Sequence, residues 1–129
     1  MVDLNFILTR ELEMFSVKEK EYDYLAKHFH KSANQTDLEL AKHYHALAFE
    51  YQHIISLFKF LNEGNVLSIQ TAELISDVYK SISFNYNSIA IIYNSMSSSL
   101  SDNFWHKYLG DSYTHSAIES LSKAKIFKS

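Results

Sequence analysis

The sequence predicts an all-α protein, a four-helix bundle in which two similar helical hairpins pack together. The 129 residues contain no proline and only two glycines. Sheets and long loops need turn residues, so this scarcity favours a few long elements with short connections. Apolar residues also recur at steps of three and four along most of the chain, which is the spacing of amphipathic helices.

The first helix is predicted over residues 3–33. It carries one apolar patch around Leu12 and Phe15 and a second around Tyr22 and Phe29. The charged stretch between the two patches must be solvated on at least one side. We therefore expect an amphipathic helix that one or more neighbouring helices cover.

The second helix has the clearest start and stop in the sequence. Thr36 and Glu39 have the spacing of a capping box, in which the threonine side chain caps the first turn. Gly64 and Asn65 supply the left-handed residue that ends a helix. The apolar stripe between these ends consists of Leu40, Tyr44, Leu47, Ala48, Tyr51, Ile55, Phe58 and Leu61. A helix this apolar on one face needs partners to cover it.

The third helix is predicted over residues 71–96, after a connector in which Ser68 is the expected cap. Within it, residues 81–89 alternate polar and apolar side chains as a strand does, but the longer window has helical spacing. Ser99 and Asp102 then form a second capping-box arrangement in a turn before the last helix.

The fourth helix is predicted over residues 104–126. Lysines near its end suit the negative end of the helix dipole. The whole chain, 1–129, is then a single domain that divides into a hairpin over 3–64 and a hairpin over 68–127.

Each helix contains a similar eight-residue phrase: an aromatic residue, a leucine-like residue, a small residue and a second aromatic residue. The four phrases are Tyr22–Phe29, Tyr44–Tyr51, Tyr86–Tyr93 and His106–Tyr113. The small residue lets a neighbouring helix approach closely. The first and third phrases begin 64 residues apart and the second and fourth begin 62 apart, which suggests a duplicated hairpin.

This phrase resembles the first-helix signature of tetratricopeptide repeats. The resemblance implies repeat-like hairpin packing of the kind that binds peptides and proteins. It covers about eight residues per helix, and the repeat length, the second-helix alanines and the closing proline of that family are not matched. The alternative interpretation is an ordinary bundle core, because any packed helix shows such a stripe.

Composition excludes several classes of function. The chain has no cysteine, its net charge is −3, and Arg10 is the only arginine, so disulfides, cysteine-ligated zinc and nucleic-acid binding are disfavoured. No apolar run reaches the roughly 20 residues of a membrane span, and no signal peptide is predicted. We expect a cytoplasmic protein, and the composition is typical of an AT-rich bacterial or phage genome.

The aromatic content is the strongest functional indication. Nineteen residues are Phe, Tyr or Trp, and Tyr and Trp outside a core are typical anchors of protein interfaces. The residues that fall off the main apolar seams are Tyr24, Phe49, Phe60, Phe84, Ile91 and Trp105. We therefore predict a non-enzymatic protein-interaction module without a cofactor, acting as a small adaptor, chaperone or inhibitor. A homodimeric scaffold, in which self-association covers the aromatic side chains, is an alternative.

A metal-binding bundle is the other alternative. Glu50 and His53 form a Glu-x-x-His motif, and His115 lies one turn from both Asp111 and Glu119. The Glu50–His53 motif is half of a carboxylate-bridged di-iron signature, and the spacing around His115 resembles that of ligands in metal-binding bundles. A duplicated hairpin would place the two histidines at equivalent heights. A complete di-iron site needs carboxylates from all four helices and a second such motif, and the sequence provides neither.

No catalytic residue is predicted. No serine lies in a Gly-x-Ser-x-Gly elbow, and no glycine-rich loop is present to bind phosphate. His28 with His30 and His43 with His45 are two residues apart, which turns each pair to opposite helix faces and makes it a poor chelator. Adjacent lysines indicate that these histidines lie on solvent-facing strips.

Overall fold

The computed structural model describes residues 4–99 and 103–128, and in that part of the chain it has four α-helices and no strand. They are α1 (Leu4–His30), α2 (Gln35–Asn62), α3 (Ile69–Ser99) and α4 (Asn103–Phe127). The predicted all-α four-helix bundle is confirmed. The strand-like segment 81–89 lies in the middle of α3, as its longer periodicity predicted.

The start of α2 differs from the prediction. Asn34 is the cap, and its side-chain oxygen accepts hydrogen bonds from the backbone N–H groups of Thr36 at 2.8 Å and Asp37 at 3.3 Å. The prediction that Thr36 caps this helix was therefore wrong by two residues. Asparagine is at least as good a cap as threonine, and it lies earlier in the chain. Glu39 accepts a long hydrogen bond from the Gln35 side chain at 3.5 Å.

The connector between α2 and α3 follows the prediction closely. Gly64 has a φ of +91° and is the left-handed residue after the end of α2. The Ser68 hydroxyl oxygen accepts the backbone N–H of Thr71 at 3.1 Å, which confirms Ser68 as the cap. The third helix consequently begins at Ile69, two residues before the predicted start.

The remaining helix ends are shifted from the predictions. The first helix ends at His30, three residues before the predicted end, and Ser32 closes the last turn by donating its N–H to the Phe29 carbonyl at 3.1 Å. The third helix continues through Ser99, so the prediction that Ser99 begins a capping box in a turn was wrong. Asp102, its predicted partner, lies outside the described residues.

The core consists of four columns of mostly aromatic side chains whose members lie seven residues apart. Such spacing keeps the same face of a helix turned toward its partners. The columns are Leu8, Phe15, Tyr22 and Phe29 on α1; Tyr44, Tyr51 and Phe58 on α2; Tyr79, Tyr86 and Tyr93 on α3; and His106, Tyr113, Ser120 and Phe127 on α4. All four repeated phrases thus contribute to the core.

Contacts across the core show how the two hairpins are aligned. Tyr22 meets Tyr86 across the core, and these residues are 64 apart, which equals the offset of the first and third phrases. Tyr44 meets Tyr113, however, and these residues are 69 apart rather than 62. The second and fourth phrases therefore do not lie opposite each other. They are displaced along the helix axes by seven residues, which is about 10 Å of helix rise.

Helices α3 and α4 approach each other most closely. The Ser83 hydroxyl donates to the Ala117 carbonyl at 2.7 Å, and the Ser76 hydroxyl donates to the Ala124 carbonyl at 2.9 Å. Hydrogen bonds from one helix to the backbone of another require small residues at the contact. The small residues lie seven apart on each helix: Ser76, Ser83 and Ala90 on α3, and Gly110, Ala117 and Ala124 on α4.

Candidate functional site

The seam between α1 and α4 is the open side of the bundle. Among the described residues, no Cα atom of α1 comes within 8 Å of a Cα atom of α4, whereas each sequential pair of helices does approach that closely. Side chains bridge the gap instead. The Lys123 ammonium lies 3.4 Å from the Glu11 carboxylate, and both side chains are about three-quarters buried (28% and 27% exposed).

A pocket of about 110 Å³ lies in this seam where α4 has a serine in its core column. Ser120 stands between Tyr113 and Phe127 in that column and is buried. We call this cavity the Ser120 pocket. Its lining consists of Met14, Phe15, Lys18, Tyr51, Tyr79, Tyr86, Ser116, Glu119, Ser120 and Lys123.

Six core tyrosines form two hydrogen-bonded groups of three phenols. In the first group, Tyr86 shares hydrogen bonds with Tyr22 at 2.9 Å and with Tyr51 at 2.7 Å. This group joins α1, α2 and α3.

In the second group, Tyr44 donates to Tyr113 at 2.8 Å and shares a hydrogen bond with Tyr93 at 3.2 Å. This group joins α2, α3 and α4. Each buried hydroxyl thereby gains a partner, which offsets the cost of removing it from water.

Tyr79 is the exception in the tyrosine core. Only 3% of the residue is exposed, and it lines the Ser120 pocket. Its hydroxyl has no hydrogen-bond partner among residues 4–99 and 103–128, but that oxygen is not among the unpartnered atoms that are sealed from solvent there. Burial raises the pKa of Tyr79, and the nearby charge of Glu11 raises it further. The pocket wall therefore holds a neutral phenol with unused hydrogen-bonding capacity.

Burial raises the pKa of the other core phenols as well. It raises the pKa of Tyr51 and of Tyr113 to about 12, although the hydrogen bonds to Tyr86 and Tyr44 lower them. Burial also raises the pKa of Tyr22, Tyr44 and Tyr86. These phenols are protonated at neutral pH, so they act as hydrogen-bonding groups rather than as bases or nucleophiles.

The off-seam residues that the sequence singled out are all exposed. Their exposed fractions run from 44% for Phe60 to 68% for Tyr24. Phe49 and Phe60 lie on α2, and Tyr24 lies on α1, where it stacks on His28 with 6.2 Å between ring centroids. Placement outside the core is what the sequence predicted; their role in binding stays a prediction.

The remaining off-seam residues have apolar neighbours on α3 and α4. Trp105 stacks on the exposed Tyr108, with ring centroids 5.5 Å apart and planes 17° apart. Phe84 lines a groove of about 370 Å³ between α3 and α4 together with Ile118 and Leu121.

The sequence interpretation missed Tyr108, Ile118 and Leu121. The spacing of three between Trp105 and Tyr108 was the available signal for their contact. Ile91, by contrast, lines a different groove, between α2 and α3.

The structure does not bring the predicted metal ligands together. In the described ranges, no three His, Asp or Glu side chains are grouped so that they could hold a metal ion. His115 lies 3.7 Å from Glu119 as an exposed pair on α4, and Asp111 instead pairs with Lys107 at 3.4 Å.

Glu50 and His53 are separate from the α4 candidates. Burial raises the pKa of Glu50, and the neighbouring His53 lowers it to a smaller extent. The offset of 69 between facing residues of α2 and α4 places His53 and His115 one heptad apart in height. The predicted equivalence of these two histidines was therefore wrong.

The histidine pairs are only partly solvent-facing. His28, His30 and His45 are exposed, as predicted. His43 is half-buried, and its Nδ1 atom lies 3.0 Å from Oδ1 of Asn85, which holds the ring between α2 and α3. The prediction of a solvent-facing strip was wrong for His43, because its face of α2 packs against α3.

Comparisons with protein-family models, with curated proteins and with solved structures found no match to this chain. None of the described helices has the length and apolar character needed to span a bilayer.

Proposed function

We propose that this protein is a non-enzymatic binding module and that the outer face of α4 docks onto a protein partner. The outer face of α4 denotes five exposed apolar side chains in two groups about 15 Å apart along the helix: Phe104, Trp105 and Tyr108, and then Ile118 and Leu121. The observation that carries the proposal is that α4 exposes large apolar side chains to solvent beside its exposed pairs Lys107–Asp111 and His115–Glu119.

The inward side of α4 is already packed against the rest of the bundle. Gly110, Ala117 and Ala124 contact α3, and Tyr113 packs in the tyrosine core. The solvent side of α4 carries large apolar side chains next to exposed charged pairs, and protein interfaces likewise combine apolar anchors with a polar rim.

The neighbouring helix extends this face. Phe84 of α3 is 66% exposed and lines the groove that also contains Ile118 and Leu121. Large exposed apolar side chains that share a groove mark interaction sites more often than scattered single ones do. The aromatic rings of Trp105, Tyr108 and Phe84 are the residue types that most often anchor interfaces.

The adaptor, chaperone and inhibitor classes all require such a face and no catalytic group. The resemblance of the repeated phrases to tetratricopeptide repeats supports the same class of activity, since those repeats bind peptides and proteins. Tyr24, Phe49 and Phe60 lie on α1 and α2, away from this face, and have secondary roles in the proposal.

Native mass spectrometry tests the proposal on untagged full-length protein isolated from its own cells. We expect a stoichiometric protein companion, either a second copy or a different chain. The double variant Trp105→Ser, Ile118→Ser should lose that companion. The matched variant Phe49→Ser, Phe60→Ser, which removes two exposed rings from α2, should keep it. A bare wild-type protein, or loss only in the α2 variant, would contradict the proposal.

A further inference from the structure

The geometry points to a second binding site: we infer that the Ser120 pocket holds a small neutral molecule consisting of one aromatic ring with a hydroxyl or carbonyl group. The site lies in the α1–α4 seam and is distinct from the outer face of α4. Its occupant is a phenol-sized compound.

The first argument is the shape of the core. The column on α4 reads His106, Tyr113, Ser120 and Phe127, so a serine stands where the neighbouring positions carry rings. The volume that a ring would fill at Ser120 is left as the pocket of about 110 Å³. An engineered apolar cavity of about 150 Å³ in another protein takes benzene. The Ser120 pocket is smaller but open at one side, so a single ring fits if its edge reaches the opening.

The second argument is the chemistry of the walls. Phe15, Tyr51, Tyr79 and Tyr86 present aromatic surfaces, and Met14 adds a thioether. Aromatic rings favour edge-to-face and offset contacts with another ring, and methionine sulfur also packs well against rings. The aromatic side of the pocket favours contact with a flat ring, and Lys18, Ser116, Glu119, Ser120 and Lys123 make the rest of the lining polar.

The third argument is the unused hydrogen-bonding capacity. Within the described chain, the Tyr79 hydroxyl has no partner although the residue is 97% buried (3% exposed). The hydroxyls of Tyr51 and Tyr86, by contrast, bond to each other at 2.7 Å. Solvent can still reach the Tyr79 hydroxyl, which is not among the unpartnered atoms sealed from solvent in the described residues, so a ligand would replace a solvent hydrogen bond. A hydroxyl or carbonyl on the ligand would supply the partner that Tyr79 lacks.

The charges at the opening favour a neutral ligand. Lys18 and Lys123 line the pocket together with Glu119, and Glu11 pairs with Lys123 at 3.4 Å. Two cations and two anions leave no excess charge to attract an ion. Removing a charged ligand from water would carry a large cost that this balanced opening does not offset.

Fluorine NMR with 4-fluorophenol as the probe tests the site directly. We expect saturable binding to the wild-type protein, and at least tenfold weaker binding to Ser120→Phe, whose ring fills the pocket. The control Ser122→Phe places the same ring at an exposed position of the same helix and should bind like the wild type. Absence of saturable binding to the wild type, or equal binding by Ser120→Phe, would overturn the inference.

Tyr79→Phe provides a second readout that does not depend on filling the pocket. The wild type should prefer phenol over benzene, because only phenol can bond to the Tyr79 hydroxyl. That preference should fall by roughly two- to tenfold in Tyr79→Phe, the range expected for one hydrogen bond. An unchanged preference would show that Tyr79 does not contact the ligand and would overturn the assignment of its role.

Discussion

Tyr22 and Tyr86 share a hydrogen bond of 2.9 Å between their hydroxyl groups, although they lie 64 residues apart on α1 and α3. Both rings are almost fully buried. The first helix of each hairpin is therefore joined to the other at the centre of the core. This hydrogen bond forms only at one position of α1 along its axis relative to α3. The contact therefore fixes how the two hairpins are aligned.

Tyr86→Phe should lower the free energy of unfolding by about 1–3 kcal/mol, because it leaves the hydroxyls of Tyr22 and Tyr51 without their shared partner. Urea denaturation measures the change. Tyr79→Phe is the matched control, since the Tyr79 hydroxyl has no partner in the described part of the chain, and we expect little loss there. Equal losses in the two variants would contradict the proposed difference between these phenols.

Stability should fall at alkaline pH. Burial raises the folded-state pKa of Tyr51 and Tyr113 from 10.0 to about 12. A raised pKa means that folding favours the protonated phenol. The contribution of these two buried phenols to the free energy of unfolding is therefore fully present below about pH 10 and is lost as the pH rises toward 12. Urea midpoints measured between pH 8 and 11 should decrease at the upper end.

The absorbance of ionised tyrosine provides the stricter test of this pH dependence. In a Tyr24→Phe, Tyr108→Phe background, only the seven core tyrosines contribute to the signal. Ionisation should then coincide with the loss of helical circular dichroism, because the buried phenols lose their protons on unfolding. Complete ionisation of a protein that is still fully helical would show that these phenols are not protected by burial.

Asn34→Ala should cost about 1 kcal/mol of stability, because the Asn34 side chain accepts the N–H groups of both Thr36 and Asp37 at the start of α2. Thr36→Ala should cost less, since Thr36 lies inside the first turn and is not the cap. Thermal unfolding of the two variants measures the difference. A larger loss of stability in Thr36→Ala than in Asn34→Ala would instead support the capping box that the sequence suggested.

Gly110→Ala should gain less stability in the wild-type background than alanine's helix propensity alone would give, because a Cβ atom at Gly110 would displace the end of the Asn94 side chain on α3, with 2.7 Å to its Cγ atom. In an Asn94→Ala background the obstruction is gone, and the better helix propensity of alanine should then dominate. The double-mutant cycle isolates this coupling from any other contact of Asn94. Additive effects of the two substitutions on the free energy of unfolding would mean that residues 110 and 94 are not in contact.

The sequence predicted the helices well because their apolar periodicity is strong over long windows. Helix ends were less predictable, since Asn34 and Thr36 are both good caps and only the structure shows which oxygen reaches the free N–H groups. The 64-residue offset of the first and third phrases suggested a duplicated hairpin, and Tyr22 and Tyr86, which begin these phrases, are in contact in the structure. The 62-residue offset failed, because a heptad pattern permits a shift by seven residues without changing which side chains face inward.

The Ser120 pocket could not be found from the sequence. A serine at a core position of α4 does not by itself predict a pocket. The pocket depends on the separation of α1 from α4, which the sequence does not reveal. Exposure of Trp105 and Phe84 was predictable from their positions off the apolar seam. The groove that Phe84 shares with Ile118 and Leu121 depends on how α3 and α4 pack, which periodicity alone does not fix.

Site-specific photo-crosslinking tests the outer face of α4 most directly. A photoreactive phenylalanine analogue would replace Ile118 in the full-length protein expressed in its own cells. The matched control would carry the analogue at Lys42, an exposed position on α2. A discrete adduct of one mass from position 118, absent from position 42, is the predicted result. No adduct from position 118, or the same adduct from both positions, would contradict the assignment of this face as the docking surface.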